Sequence, residues 1–378
     1  MLLAQNGPSA RPGRWHLWGH GKIACRLAWN EEMAGASPAP PTTVNDMEML
    51  KGKTLLITGG TGTIGHAIVD KIKDSDVHSI RVFSRDEQKQ EAMARKYSQY
   101  KHKLRFILGD VRDEQRLTLA CKGVDYLIHA AALKIVPGCF YNPLEAKKTN
   151  IDGTCSVIAA CLANYVHRAV MLSTDKACEP VTLYGATKAA AECIFLAANN
   201  YVGDLHTTRF TAVRYGNVVG SRGSILHVFL KQRESGEITV TDPRSTRFWL
   251  EQQDAVNLIF MALENTSGGE VWVPKAPSMR VTDLAKAVAG DARVNIVGLR
   301  TQEKLHETLI TYEEARRAKE LSNCFVIEPE GAQWARSSIY GAPLQSGFRY
   351  VSSSGLSWVS EETFKSQAVK YAQNAGNS

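Results

Sequence analysis

The sequence has no run of apolar residues long enough to cross a membrane, which takes roughly 18 or more in succession. Residues 1–46 contain no continuous apolar stretch of the kind that marks a secretory signal. The 8 cysteines form no CxxC pair and show no metal-ligand spacing. There is also no block of consecutive basic residues, and the formal net charge is a modest +7. These absences favour a cytoplasmic protein that binds no membrane, no nucleic acid and no metal.

The composition is that of a folded protein with an ample core. The chain has 378 residues, of which 44% are hydrophobic and 22% charged, and this length suits one large domain or two. Residues 1–49 differ from the rest, because glycine, proline, alanine and polar residues dominate them. We therefore expect a disordered extension there, with the folded part beginning near residue 50.

From residue 53 onward, short apolar runs alternate with helical periodicity. This alternation predicts βαβ units, and hence an α/β fold with a Rossmann-type, doubly wound parallel sheet over residues 50–217. The predicted strands are 54–57, 79–83, 104–108, 126–130, 169–172 and 211–214, and the predicted helices are 67–72, 86–97, 157–163 and 184–200.

After residue 218 the alternation loosens. Short strands at 238–241, 270–273 and 294–297 and short helices at 254–263 and 282–289 predict a smaller α/β substrate lobe. We place this lobe at residues 218–345, interleaved with the first domain. Residues 346–378 have weak periodicity and are predicted to be a tail on the surface.

A glycine cluster follows the first predicted strand and opens the first helix. Its GxxGxxG spacing suits a tight turn, a close backbone approach to a pyrophosphate and close packing of helix on strand. The helix N-terminus then faces the anion. The sequence therefore predicts a dinucleotide site at this turn, formed by Gly59, Thr61, Gly62, Thr63, Ile64 and Gly65.

The end of the second strand decides which dinucleotide binds. An acidic residue there favours NAD, whereas Arg85 is placed to bind a 2′-phosphate, so we predict NADP as the cofactor even though Asp86 follows. The remaining cofactor-binding candidates come from the ends of the second, third and fourth strands: Ser84, Lys89, Asp110, Val111 and Ala130.

Tyr184 and Lys188 lie four residues apart, on one face of a predicted helix. The lysine charge is expected to lower the tyrosine pKa from its free value of about 10, so that the phenolate acts as a base. Just upstream, Asp175 and Lys176 supply a second acid/base pair. Hydride transfer alone does not need that pair, but a site that oxidises, eliminates and reduces does.

The glycine turn, the Asp110 strand end, the AAALK string at 130–134 and YxxxK at 184–188 resemble the extended short-chain dehydrogenase/reductases. Further strings are similar to those of the C5-inverting UDP-N-acetylglucosamine 4,6-dehydratases of the pseudaminic acid pathway. These strings are SRDE at 84–87, NPLE at 142–145, KTNI at 148–151, STDKA at 173–177, LYGATK at 183–188, RYGNVVGSR at 214–222, TRFW at 246–249 and EKLHE at 303–307.

The resemblance implies a homo-oligomeric enzyme that acts on UDP-N-acetylglucosamine or a close UDP-sugar. It implies oxidation at C4, loss of water across C5 and C6, and return of hydride to C6. Tyr184 would take the C4 hydroxyl proton and Thr174 would bind the C4 oxygen. Asp175 is the candidate acid at C6, and Lys176 is the candidate base at C5. A lysine can act as a base only as the neutral amine. The two roles can also be exchanged between these residues. Candidates for binding the diphosphate, uridine and sugar are Lys134, Asn217, Val218, Val219, Gly220, Ser221, Arg222, Arg247, Arg300 and Glu303.

Two other functions remain as alternatives. A nucleotide-sugar 4-epimerase of the same superfamily typically carries small hydroxyl residues in place of Asp175 and Lys176. A regulatory protein that binds NADP without turnover does not need Tyr184, Lys188 or Asp175, and all three are present. The retained residues therefore favour the dehydratase.

Overall fold

The computed structural model of the chain describes residues 48–202, 208–221, 223–330, 339 and 341–375, with side chains as far as residue 371 in the last helix. Residues 1–47 of the predicted extension, and Arg222, lie outside the described residues. The last residues of that predicted extension are folded, because Glu48–Leu50 form a 3-10 turn. Leu50 is fully buried in the main core.

A ten-stranded sheet forms the centre of the fold, in the order β16-β14-β15-β10-β6-β5-β4-β1-β2-β3. Its first six strands are β1 Thr54–Thr58, β2 Ser79–Ser84, β3 Leu104–Leu108, β4 Tyr126–His129, β5 Arg168–Thr174 and β6 Arg209–Tyr215. The other four are β10 Val271–Pro274, β14 Ala318–Glu320, β15 Cys324–Ile327 and β16 Ala342–Pro343. Strands β1 to β6 and β10 run parallel, and β14, β15 and β16 add antiparallel pairs at one end. The predicted Rossmann-type sheet is therefore confirmed.

Smaller sheets come from seven more strands. They are β7 Asn217–Val218, β8 Glu237–Val240, β9 Thr246–Leu250, β11 Ser278–Arg280, β12 Arg293–Ile296, β13 Thr308–Ile310 and β17 Tyr350–Val351. Strands β11, β9 and β7 form one sheet, β12 pairs with β8, and β13 pairs with β17.

Helices cover both faces of the large sheet. Those before β6 are α1 Thr63–Ile72, α2 Glu87–Lys96, α3 Glu114–Ala120, α4 Val136–Tyr141, α5 Pro143–Lys147, α6 Gly153–Ala163 and α7 Leu183–Ala197. Those after it are α8 Ile225–Glu234, α9 Gln252–Asn265, α10 Val281–Ala289, α11 Tyr312–Ala315 and α12 Glu361–Ala375. Helix α6 packs between α3 and α7, whereas α1 packs against α9. Among these described helices, none has the length and apolar character needed to cross a bilayer.

The central strands are buried on both faces, as expected of a parallel sheet covered by helices. All five residues of β1 are buried, and α6 is apolar around most of its circumference because it packs against two other helices and β4. The strand order reverses between β1 and β4, and ligands of such sheets bind outside the carboxyl ends at that position. The turns that follow β1, β4 and β5 therefore lie where sheets of this kind bind their ligands.

The segment predicted as a substrate lobe contributes to both parts of the fold. Strand β10 lies in the main sheet, where it pairs with β6. All of its residues are buried, and this placement removes the apolar side chain of Trp272 from solvent. A second hydrophobic core forms from α8, β8, α10 and α12. The division at residue 217/218 itself stays a prediction.

The C-terminal segment is more ordered than the predicted surface tail. Strand β17 pairs with β13, and α12 packs against α10 and α8. Phe364 and Ala368 are buried in the second core. The sequence analysis missed this helix because few of its residues are apolar, so the helical periodicity of apolar residues is weak.

Candidate active site

The glycine turn after β1 packs closely against the neighbouring backbone. Gly59 has φ of +66°, and a Cβ there would lie 2.8 Å from the backbone of Ala131. A Cβ at Gly65 would lie 2.0 Å from the Gly60 carbonyl oxygen, so both glycines permit close backbone packing. A Cβ at Gly62 would meet only the Gly59 carbonyl oxygen, at 3.2 Å. Gly62 is also the N-cap of α1 and makes no side-chain cap, which suits the helix N-terminus to an anion.

The turns that follow β1, β2 and β4 lie beside one another. The Gly59 N–H donates to the carbonyl of Phe83 at 2.8 Å, and the Ala130 N–H donates to Thr58 at 3.1 Å. Ser84 and Val111 are buried at the same edge, together with Thr61. The predicted cofactor residues are thus brought together along the crevice.

Of the charged residues at the end of β2, Asp86 and Lys89 contact each other, whereas Arg85 is exposed to solvent. Asp86 caps α2 by accepting from the Lys89 N–H at 3.0 Å, and it pairs with the Lys89 ammonium group. Arg85 has a side chain that is 57% exposed, with Nη1 3.8 Å from Asp110 Oδ2. Burial alone would raise the pKa of Asp110, but hydrogen bonds from Arg112 outweigh it and lower the pKa. Arg112, which the sequence analysis missed, donates to Asp110 at 2.7 Å.

The catalytic candidates from β5 lie in a buried 3-10 turn, Asp175–Ala177. Thr174 caps this turn, and its hydroxyl donates to Asp175 Oδ1 at 2.9 Å. Lys176 Nζ donates to the same carboxylate oxygen at 3.0 Å. Asp175 is fully buried, and its other oxygen, Oδ2, has no hydrogen-bond partner among the described residues.

Helix α7 places Tyr184 and Lys188 directly against this turn. The helix is capped by Thr182, which accepts from the Gly185 N–H at 3.0 Å. A Cβ at Gly185 would lie 2.2 Å from the Lys176 carbonyl oxygen, so glycine permits the close approach. Tyr184 is 8% exposed and Lys188 is 3% exposed.

The electrostatics of this pair differ from the expectation. Burial raises the pKa of Tyr184 to about 12, opposed by the charge of Lys176 and by a hydrogen bond with Thr174. Burial also lowers the pKa of Lys188 to about 8, and Lys188 Nζ donates to the Leu172 carbonyl at 2.8 Å. Lys176 is therefore a cation that opposes this rise in the Tyr184 pKa, the effect that was predicted for Lys188.

Lys176 also differs from the neutral amine that was expected. Its Nζ lies 3.3 Å from Glu307 Oε1 as well as 3.0 Å from Asp175 Oδ1. Burial alone would lower the pKa of Lys176, but the charges of Asp175 and Glu307 outweigh that effect and raise it. Lys176 is therefore an ammonium ion between two carboxylates. Glu307 belongs to the EKLHE string, where its spacing of four residues from Glu303 was the one available signal.

Two of the predicted substrate-binding residues belong to a buried network. Arg247 is 8% exposed, and its Nη1 donates to the carbonyls of Thr246 at 2.7 Å and Leu305 at 3.0 Å. Its Nη2 donates to Glu303 at 3.2 Å. Glu303 also accepts from the Thr241 hydroxyl at 3.0 Å. Three of the five N–H donors of Arg247 are used in these contacts, so Arg247 anchors the network and the predicted phosphate contact is left to its remaining donors.

The other substrate-binding candidates are more open. Lys134 and Arg300 are exposed, and Lys134 lies near enough to His227 for its charge to help burial lower that histidine's pKa. Lys134 follows β4 and His227 lies on α8, so the two lobes face each other there. Asn217 and Ser221 are half-buried, whereas Val218 and Val219 are buried. Within the described part of the chain, no group of three or more His, Cys, Asp or Glu side chains could hold a metal ion.

Tyr371 of α12, also missed by the sequence analysis, packs over the 217–221 loop. Gly220 has φ of +66°, and a Cβ there would lie 1.9 Å from the Tyr371 ring. We expect Gly220→Ala to destabilise the protein by about 1–2 kcal/mol from the left-handed backbone, plus about 1–3 kcal/mol from overpacking. Urea unfolding measures both terms.

A matched control separates these two terms. Gly236 also has a positive φ, of +81°, but a Cβ there would meet nothing within 4 Å. Gly236→Ala should therefore show the backbone cost alone, and Gly220→Ala combined with Tyr371→Ala should lose the overpacking cost. Equal destabilisation by Gly220→Ala and Gly236→Ala would show that Tyr371 does not pack on the loop.

Comparison with known proteins shows the family of the chain. Residues 55–329 match the family model described as "Polysaccharide biosynthesis protein". The chain belongs to the polysaccharide biosynthesis protein family. It is 42% identical over 325 residues to a UDP-N-acetylglucosamine 4,6-dehydratase (inverting) of Campylobacter jejuni, covering 83% of this chain and 96% of the relative. The resemblance drawn from the sequence strings is thereby confirmed.

Other members of this family carry a different name. A UDP-glucose 4-epimerase of Rickettsia canadensis is 40% identical over 292 residues, covering 75% of this chain and 85% of the relative. Among solved structures, the X-ray structure of Pen from Bacillus thuringiensis matches with a TM-score of 0.78 and 34% identity, covering 85% of this chain and 98% of Pen. The choice between dehydratase and epimerase therefore depends on the site.

Proposed function

We propose that the chain is an inverting UDP-N-acetylglucosamine 4,6-dehydratase that uses NADP. The observation that carries the proposal is the buried pair of Asp175 and Lys176, 3.0 Å apart, in a turn packed against the helix that bears Tyr184. Oxidation at C4 alone does not require this pair. Elimination does, because one group must take the C5 proton while another protonates the departing C6 hydroxyl.

Tyr184, Thr174 and Lys188 serve the first step at C4. The nearby ammonium group of Lys176 stabilises the phenolate of Tyr184, which takes the proton of the C4 hydroxyl and becomes a neutral phenol. Thr174 hydrogen-bonds the C4 oxygen once its hydroxyl proton turns from Asp175 to the substrate, and Lys188 binds the nicotinamide ribose. The nicotinamide supplies the hydride acceptor at C4 and the hydride donor at C6 when the cofactor is bound.

Asp175 and Lys176 serve the elimination. One proton moved from the Lys176 ammonium group to the Asp175 carboxylate converts the ion pair into a neutral acid and a neutral amine. Lys176 then takes the C5 proton while Asp175 gives its own proton to the C6 hydroxyl, which leaves as water. The two residues end as an ion pair again, so the elimination itself needs no outside proton. The hydride that then returns to C6 is matched by one proton added to C5.

The proposal of NADP rests on the charges at the end of β2. Asp86 is used as a helix cap and pairs with Lys89, so it is poorly placed to accept hydrogen bonds from a ribose 2′-hydroxyl. Arg85 is exposed beside Asp110 and can bind a 2′-phosphate. The glycine turn fits the diphosphate of the same cofactor.

Arg85→Ala is expected to weaken NADP binding by roughly tenfold or more, since it removes a charge-assisted contact to phosphate. NAD binding should change little. Arg95→Ala is the matched control, because Arg95 is an exposed arginine of α2 that pairs with Glu91. Titration of both cofactors by fluorescence measures the effect, and an equal loss for NAD and NADP would contradict a 2′-phosphate contact.

The substrate-binding residues, the location and the oligomeric state are proposed from the family resemblance and from the exposure of the candidate residues. Lys134, Arg300 and the 217–221 loop would bind the UDP moiety, and Glu303 the sugar or ribose hydroxyls. We also propose a cytoplasmic homo-oligomer that supplies pseudaminic acid synthesis. Arg222, outside the described residues, stays a predicted phosphate ligand.

The 4-epimerase is the second candidate, favoured by the name of the Rickettsia relative. Incubation of the protein with NADP and UDP-N-acetylglucosamine separates the two functions. The dehydratase gives a 4-keto-6-deoxy product, lighter than the substrate by one water, with no accumulation of NADPH. A product of unchanged mass with inverted C4 would establish the epimerase instead.

A further inference from the structure

Glu307 is held rigidly beside the catalytic turn. Its N–H donates to the Ser352 hydroxyl at 2.9 Å, and its carbonyl accepts from the Ser352 N–H at 2.8 Å. The residue immediately precedes β13, which pairs with β17. This clamp fixes the backbone of Glu307, so its carboxylate has little freedom to move away from Lys176.

The carboxylate of Glu307 is buried and only partly satisfied. The residue is 3% exposed, and Oε1 lies 3.3 Å from Lys176 Nζ and 3.9 Å from Arg247 Nε. Oε2 makes no hydrogen bond among the described residues, although Lys304 Nζ lies 3.7 Å from Glu307 Oε2. A buried carboxylate oxygen without a hydrogen bond costs stability. A carboxylate kept for stability alone is expected to satisfy both oxygens, so this one points to a role in the site.

We propose that Glu307 is a positioning residue for the elimination step, which holds the Lys176 amine toward the substrate and stabilises the positive charge that Lys176 gains when it takes the C5 proton. This inference rests on the proposed function. The charge develops within 3.3 Å of a fixed anion in a buried site, where electrostatic stabilisation is strong. Arg247 and Lys304 balance part of the Glu307 charge, so that Lys176 can still pass its proton to Asp175.

Competitive labelling of Lys176 with acetic anhydride tests the electrostatic part without any substrate. Only the neutral amine reacts, so the pH of half-maximal labelling reports the pKa of the Lys176 ammonium group. Mass spectrometry of the peptide that contains Lys176 measures the labelling. Asp175, Glu307, Arg247 and Tyr184 are the charged or titratable groups that face this amine. In Glu307→Gln the half-reaction pH should fall by roughly one unit or more, because an anion that favoured the ammonium is gone. Glu313→Gln, an exposed carboxylate of α11, should leave it unchanged.

The catalytic part is read from deuterium exchange at C5 of UDP-N-acetylglucosamine in D2O. Glu307→Gln should slow this exchange by roughly tenfold or more, with the substrate KM nearly unchanged. In the pH profile of kcat/KM, the acid limb should move to lower pH because the pKa of Lys176 is lower. A merely structural role of Glu307 would not produce this change. An unchanged labelling pH, or exchange at the parent rate, overturns the inference.

If Glu307→Gln does not fold, Glu307→Asp tests the same positioning role. It retains the charge but shortens the reach, so the labelling pH should stay near that of the parent while C5 exchange slows. Parent-rate exchange in Glu307→Asp overturns the positioning role. If the parent protein itself shows no C5 exchange, the proposed dehydratase fails and the catalytic role of Glu307 with it, while the labelling shift still reports the ion pair.

Discussion

Tyr184→Phe is expected to slow product formation from UDP-N-acetylglucosamine by about 10²–10⁴-fold, the usual contribution of a general base. The substitution removes only the phenolic oxygen, so the buried ring and the packing of α7 are retained. Because the lost group acts at C4, before elimination begins, both the 4-keto product and C5 exchange should disappear together.

Tyr201→Phe is the matched control for this substitution. Tyr201 is 73% exposed, so loss of its hydroxyl should leave turnover within twofold of the parent or closer. Cofactor binding by the Tyr184→Phe protein should persist, since the glycine turn lies on other elements. Turnover near the parent rate in Tyr184→Phe would remove Tyr184 from the mechanism.

Lys176→Met should block the reaction at a later step. We expect product formation to fall by about 10²–10⁴-fold, and deuterium exchange at C5 to fall with it. Oxidation at C4 should slow, because no Lys176 ammonium group stabilises the Tyr184 phenolate, but only elimination should be blocked. A slow substrate-dependent rise in reduced cofactor should therefore appear in a single turnover and then persist. The difference between Tyr184→Phe and Lys176→Met therefore separates the two chemical steps.

The control for Lys176→Met must allow for the ion pairs that it breaks. Lys176 is the cation between Asp175 and Glu307, so thermal unfolding and cofactor binding should be measured alongside activity. Lys231→Met makes the same chemical change at an exposed position of α8 and should leave activity unaltered. C5 exchange at the parent rate in Lys176→Met would show that another group is the base.

Local features of the fold and site could be predicted from the sequence. The glycine turn, the Tyr184–Lys188 spacing and the parallel strands depend on neighbours within a few residues, where backbone sterics and side-chain periodicity act directly. For the same reason the ends of β3 and of α10 were predicted within a residue. The carboxyl-end crevice follows from the alternation of strands and helices.

Features that depend on distant parts of the chain could not be predicted. The charge state of Lys176 is set by Glu307, which reaches it only through the pairing of β13 beside the catalytic turn. Arg247 was predicted to bind phosphate, and nothing in the sequence indicated that three of its five donors contact backbone carbonyls and Glu303. Helix α12 was missed because its buried face is only a few residues wide.

The central claim is that hydrogen removed from C4 returns to C6 of the same sugar, and labelled substrate tests it most directly. UDP-N-acetylglucosamine carrying deuterium at C4 should be converted, in ordinary water with NADP, to a 4-keto-6-deoxy product whose methyl group at C6 holds the label. NMR of the product locates it. Deuterium that remains at C4 of a fully hydroxylated sugar, or that accumulates in NADPH, would contradict the account.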